Sequence, residues 1–153
     1  MINQAQILKA QKDWGNGIVQ IGSLKNDRTI CEKFTSEFID KLYAFDLGKV
    51  LFKPTKTSEF QFRTDKTSAL SYFIGGNPDF SEDKGFAITP WKEVIFDDNF
   101  NVILEEKRAI TMGNYYFIDM NNNKVKVEYT FGYLLHDNEL KIDLHHSSIP
   151  FGS

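Results

Sequence analysis

The sequence predicts an α+β fold: three N-terminal helices packed on one face of a strongly curved antiparallel sheet, which together enclose a cone. Three observations predict it. Apolar residues recur every three or four positions as far as Phe73, the period of a helix with one buried stripe. Beyond Phe86 the period becomes two, and Asn- and Asp-rich separators divide the runs, as in half-buried strands joined by turns. The 153 residues suit a single domain, 1–153, close to the usual size of about 100–150 residues.

The first helix is expected over Asn3 to Ile21, where Ile7, Trp14, Ile18 and Ile21 form the buried seam and Leu8 sits beside it. Gly15 and Gly17 should weaken its end by about 1 kcal/mol each relative to Ala. Asp27 is the candidate N-cap of a second helix in which Ile30, Phe34, Phe38 and Leu42 recur every four residues. Val50-Leu51-Phe52 reads as a short buried strand closed by Pro54, which lacks the donor a central strand needs. A third helix runs from about Asp65 to Phe73, with Thr64 as N-cap and Gly75 at its stop. Gly75 to Gly85 is then a long polar loop.

Four strands follow: Ala87–Asp97, Val102–Ile118, Lys124–His136 and Glu139–Ser148. Asp137-Asn138 between the last two is a two-residue hairpin signal. The second strand would be about 55 Å long at ~3.3 Å per residue, so it is expected to bend, with Gly113 as the kink. In the third strand, Val125, Val127, Tyr129, Phe131, Tyr133 and Leu135 share the face that should meet the helices. Thr130 and Gly132 leave little volume on the other face, where a second sheet could approach.

Composition excludes several functions. Net charge is −3 with no basic stripe, against nucleic-acid binding. No segment approaches the ~18 apolar residues of a membrane span. The single cysteine, Cys31, can form no internal disulfide. The first residues lack a basic region followed by an apolar run, so a cytoplasmic location is expected. The 14 Phe, 6 Tyr and 2 Trp exceed what a core of this size needs, which points to a pocket and a subunit interface.

The carriers of a family resemblance are Asp137-Asn138-Glu139-Leu140, the ending Leu144-His145-His146-Ser147-Ser148-Ile149-Pro150, the segment Val50 to Thr55, and Trp14. With the helix and strand order they resemble the nuclear transport factor 2-like superfamily. More narrowly, the chain is similar to the association domain of calcium/calmodulin-dependent kinase II, its stand-alone bacterial relatives and the SnoaL-like proteins. The resemblance implies a pocket between the concave sheet and the helices, and homodimers or higher oligomers through the back of the sheet. Ser147 and Phe131 stand where the kinase domain has pocket arginines, so its acidic-ligand preference is not carried over. The leading expectation is therefore a stand-alone, non-catalytic association or small-molecule-binding domain without cofactor, taking a small hydrophobic or carboxylate ligand. The alternative is an isomerase, lyase or cyclase of the SnoaL-like or ketosteroid-isomerase-like type.

Adjacent strand residues point to opposite faces, so His145 and His146 cannot form one acid–base pair. Parity groups His145 with Asp143 and Ser147 on one face and His146 with Leu144 and Ser148 on the other; the resemblance implies that the first face is the cone side, since Ser147 stands at the kinase domain's pocket arginine. His145 is then a pocket donor or general base, or a hydrogen-bonded structural histidine. The enzyme alternative pairs it with Glu93 or Asp143. Trp91, Tyr115, Tyr129 and Phe131 are candidate lining residues, Ser147 a polar wall, and Arg63 with Lys53 a candidate anion contact before the third helix. No metal site is expected, because no Cys-x-x-Cys or His-Glu-x-x-His occurs.

Overall fold

The computed structural model describes residues 1–152. Helix α1 spans Gln4–Ser23, opened by an Asn3–Gln6 capping box. Its seam of Ile7, Trp14, Ile18 and Ile21 is buried as expected, while Leu8 is exposed. The two glycines do not fray it. A Cβ on Gly15 would press on Val94 and one on Gly17 would overlap the Phe38 ring, so both permit close packing rather than a bend.

Helix α2 covers Arg28–Leu42, with Asp27 accepting from the Ile30 N–H. Its buried stripe is Cys31, Thr35, Phe38, Ile39 and Leu42, and Ile30 is exposed. The stripe is thus rotated by about one residue from the expected one. Helix α3, Lys66–Ile74, is capped by Asp65 rather than Thr64 and ends at Gly75 with φ 65°.

The sheet has six strands, not the five counted from sequence: β1 (Leu51–Lys53), β2 (Trp91–Phe96), β3 (Asn101–Leu104), β4 (Arg108–Asp119), β5 (Lys124–His136) and β6 (Glu139–Ser148). Their order is β1-β6-β5-β4-β2, with β3 also pairing with β4. The expected 17-residue strand is a hairpin: the chain reverses at Glu105 to Lys107, and β3 returns along the end of β4 that β2 leaves free. The polar, charged tip breaks the alternation that a single strand would have kept. β1 runs parallel to β6, and every other pair is antiparallel. Asp137 and Asn138 adopt the positive φ values of a tight hairpin.

Curvature enters at register breaks between Trp91 and Glu93 on β2 and between Gly132 and Tyr133 opposite β6. Gly113 is no kink. It sits where a Cβ would meet Phe100 and the Tyr129 hydroxyl, both at 2.9 Å. The concave face, with Tyr115, Phe117, Val127, Tyr129, Phe131 and Tyr133, packs against the helices in one core. This is the three-helix, curved-sheet cone the sequence predicts. Among the described residues no helix is long and apolar enough to cross a membrane.

Candidate functional site

The sheet register brings the site together. Phe52 of β1 and Phe131 of β5 both stand opposite His145 of β6. Their rings stack on the imidazole, with centroids at 4.8 Å and 4.0 Å. His145 is 2 % exposed and Ser147 1 %, whereas His146 is exposed on the other face.

A continuous line of hydrogen bonds runs through this layer. The Trp14 indole N–H of α1 donates to the Tyr43 hydroxyl at 3.0 Å. That hydroxyl lies 2.8 Å from His145 Nδ1. His145 Nε2 lies 3.1 Å from the Tyr115 hydroxyl of β4. Tyr115 is 2.7 Å from Ser147 Oγ, and Ser147 Oγ is 2.6 Å from Thr55 Oγ1. Thr55 is placed by Pro54, which ends β1, and the Lys53 ammonium donates to the Ser147 carbonyl at 3.3 Å. Tyr72 of α3 sits beside Thr55 and accepts the Lys56 N–H at 3.2 Å.

Burial sets the protonation of this layer. It pushes the hydroxyls of Tyr43, Tyr72 and Tyr115 up, beyond deprotonation at ordinary pH. It pushes His145 well below the usual imidazole range, with the neighbouring His146 adding to the effect, so the imidazole is neutral. Lys53 is also shifted down by burial.

The line ends at a small cavity of about 10 Å³ lined by Trp14, Phe52, Pro54, Thr55, Tyr72, Phe73, Phe86, Tyr115, His145 and Ser147. That is room for one centre of water size. A wider cleft of about 160 Å³ lies between α1 and the β5–β6 hairpin, among Lys9, Asp13, Lys41 and Glu139. Its Lys9 and Asp13 are paired at 2.7 Å near the surface, and it has no comparable buried polar network.

Of the expected site residues, His145, Ser147 and Tyr115 meet at the cavity, with Phe131 stacked behind His145. The others lie elsewhere. Glu93 is exposed, because the register break after Trp91 turns Val94 and Phe96 inward instead. Asp143 leaves the His145 face for a related reason: at the β5–β6 irregularity Ile142 pairs with Tyr133 and Leu144 with Gly132. Asp143 points outward, where the Arg108 guanidinium donates to both its oxygens at 2.9 Å.

Arg63 is no anion contact. It is fully buried, donates to both Asp83 oxygens at 2.7 and 2.8 Å, and caps the Phe60 and Ser68 carbonyls. With Glu82, which accepts the N–H groups of Ser58, Glu59 and Phe60, it ties the loop after Thr55 to the 75–85 segment. Tyr129 takes a bond from Gln11 at 3.3 Å, and Trp91 donates to the Phe86 carbonyl at 2.8 Å; neither lines the cavity. Sequence reasoning missed Tyr43, Thr55 and Tyr72 as site residues. Pro54-Thr55 directly after a buried strand was the available signal for one of them. Among the described residues no group of three His, Cys, Asp or Glu side chains is placed to hold a metal ion.

A nuclear transport factor 2-like cone with a small cavity lined by hydroxyls and an imidazole defines the class. Fold likeness extends to a protein named as a calcium/calmodulin-dependent protein kinase II association domain from Xanthomonas campestris, with TM-score 0.63 and 23 % identity over 99 % of this chain and 91 % of that one. It extends also to a dehydratase-like member of the same fold family from Streptomyces avermitilis, with TM-score 0.60 and 12 % identity over 97 % and 96 %.

The profile of a family described as metal-independent carbonic anhydrase matches residues 5–149. The metal-independent carbonic anhydrase of Nostoc sp. (strain PCC 7120 / SAG 25.82 / UTEX 2576) is 36 % identical over 154 residues, covering 98 % of this chain and 75 % of the relative. The crystal structure of a cyanobacterial iota-carbonic anhydrase complexed with bicarbonate superposes with TM-score 0.93 and 34 % identity over 99 % and 94 % of the two chains. The chain belongs to the metal-independent carbonic anhydrase family. That membership overturns the expected non-catalytic association domain, because the family is one of enzymes.

Proposed function

We propose that this chain interconverts carbon dioxide and bicarbonate, without a resident metal, in the cavity at Thr55, Tyr72, Tyr115, His145 and Ser147. The observation that carries this reading is the cavity itself. It is small, with free space of the order of one water molecule, and lined by hydroxyls, an imidazole and aromatic rings, which favours the smallest polar ligands and rejects any ring-sized substrate. Family membership and the bicarbonate bound by a similar enzyme support it.

The balanced reaction is CO2 + H2O ⇌ HCO3− + H+. Phe52, Phe73 and Phe86 supply apolar walls for the neutral gas. Negative charge develops on oxygen as water adds to the carbon. Hydroxyl groups held in place in a low-dielectric cavity stabilise that charge without reorganising. Because burial keeps the phenols protonated, they remain donors throughout the pH range where bicarbonate exists. His145, neutral and stacked between two rings, orients the hydroxyls rather than supplying a positive charge.

The test is CO2 hydration by stopped flow, on protein treated with a strong chelator. The wild-type rate should survive chelation. Thr55→Val and Tyr72→Phe should each lower kcat/KM by roughly 10²–10³, the usual loss for one donor to a developing oxyanion, with circular dichroism unchanged. A wild-type protein no faster than buffer would overturn the reading.

A further inference from the structure

Each hydrogen bond uses one proton, so a line of hydroxyls has a direction, and a member that can only donate sets it. Trp14 is such a member. Its indole N–H donates to Tyr43 and cannot accept. The Tyr43 proton is left with one acceptor, His145 Nδ1 at 2.8 Å. A neutral imidazole that accepts at Nδ1 carries its proton on Nε2. Nε2–H then donates to Tyr115, Tyr115 to Ser147, and Ser147 to Thr55. The reverse order would strand the Tyr43 proton, fully buried between a donor and an N–H, and an unpartnered buried donor is the costly defect.

At the far end, the Thr55 hydroxyl has accepted its bond and has its own proton free. The Tyr72 hydroxyl, which accepts from the Lys56 N–H, is in the same position. Both groups line the cavity.

We propose that Trp14 is a positioning residue that fixes His145 as its Nε2–H tautomer and orders the protons along the line, so that the cavity meets its ligand with the hydroxyl donors of Thr55 and Tyr72. The consequence for catalysis rests on the bicarbonate reading, since a small oxyanion is the ligand such donors suit.

Long-range ¹⁵N–¹H imidazole spectra test the proton order directly, and with only three histidines a His145→Gln sample assigns the signals. The wild-type His145 should show a protonated Nε2 and an accepting Nδ1, unchanged from about pH 6 to about pH 8. Trp14→Phe removes the N–H. Incorporating benzothienylalanine at position 14 removes it while keeping the ring shape, should the phenylalanine variant fail to fold. In either variant the Nδ1 signal should move toward its unbonded position or the second tautomer should appear, and hydration should fall by about tenfold, one hydrogen bond's worth. An Nδ1–H or doubly protonated His145 in the wild type would overturn the proposal, as would unchanged His145 signals in a folded variant. The tautomer result with no wild-type hydration would uphold the proton order and defeat the bicarbonate reading.

Discussion

His145 is a histidine whose environment removes the charge that usually makes histidine useful. Two stacked rings cover its faces and a tyrosine hydroxyl occupies each nitrogen, so an imidazolium would lose its solvation by bulk water, and burial lowers its pKa well below the ordinary value. The unfolded chain has no such constraint and titrates near ~6.5. Below that pH the unfolded state therefore binds a proton that the native state refuses, and stability falls as pH falls. The slope approaches ~1.4 kcal/mol per pH unit for a single site. Thermal melts should show Tm roughly level above about pH 6.5 and declining from there toward pH ~5. His145→Gln, though less stable overall, should flatten that decline. An equal slope in the two proteins would mean that His145 is protonated in the folded state, and its role as a neutral orienting group would fail with it.

At the scale of elements, α1 is held by what its glycines omit. Gly17 has no Cβ, and the Phe38 ring of α2 occupies that space. Gly17→Ala would gain about 1 kcal/mol of helix propensity, yet overpacking a fitted contact costs ~1–3 kcal/mol. The variant should therefore melt lower than wild type in urea or heat; a higher midpoint would show that Phe38 can move aside at no cost. Periodicity located all three helices and the Asp27 cap, and the Asp137-Asn138 turn located the last hairpin. The bends of the sheet were not legible, since nothing in alternating residues announces the register breaks beside Glu93 and Asp143. Those breaks are why parity put both carboxylates at the site while the fold puts both outside it. Tyr43 and Thr55 escaped notice because each ends an element and reaches His145 or Ser147 only across about 90–100 residues of chain.

At the scale of the whole molecule, the two faces of the sheet have different work. Every group of the hydrogen-bonded line comes from one chain and lies on the concave face or on the helices and loop packed against it. The opposite face carries Ile103, Ile110 and Met112, which are 62 %, 39 % and 57 % exposed. Ile103 and Ile110 pair across β3 and β4, and Met112 stands next to Thr130, whose neighbour on β6 is His146. Small Thr130 and Gly132 keep this surface low between its apolar edge and β6, a shape that another sheet can lie against. We propose that two copies associate through this face. Light scattering behind a sizing column should give twice the 17.7 kDa of one chain, and Ile103→Lys with Met112→Lys should give the single-chain mass. Because the cavity draws no residue from this face, the monomeric variant should keep its rate of CO2 hydration. A wild-type protein that stays at the single-chain mass at tens of micromolar would refute the association. A monomeric variant that loses its rate while remaining folded would show that pairing shapes the concave site from behind.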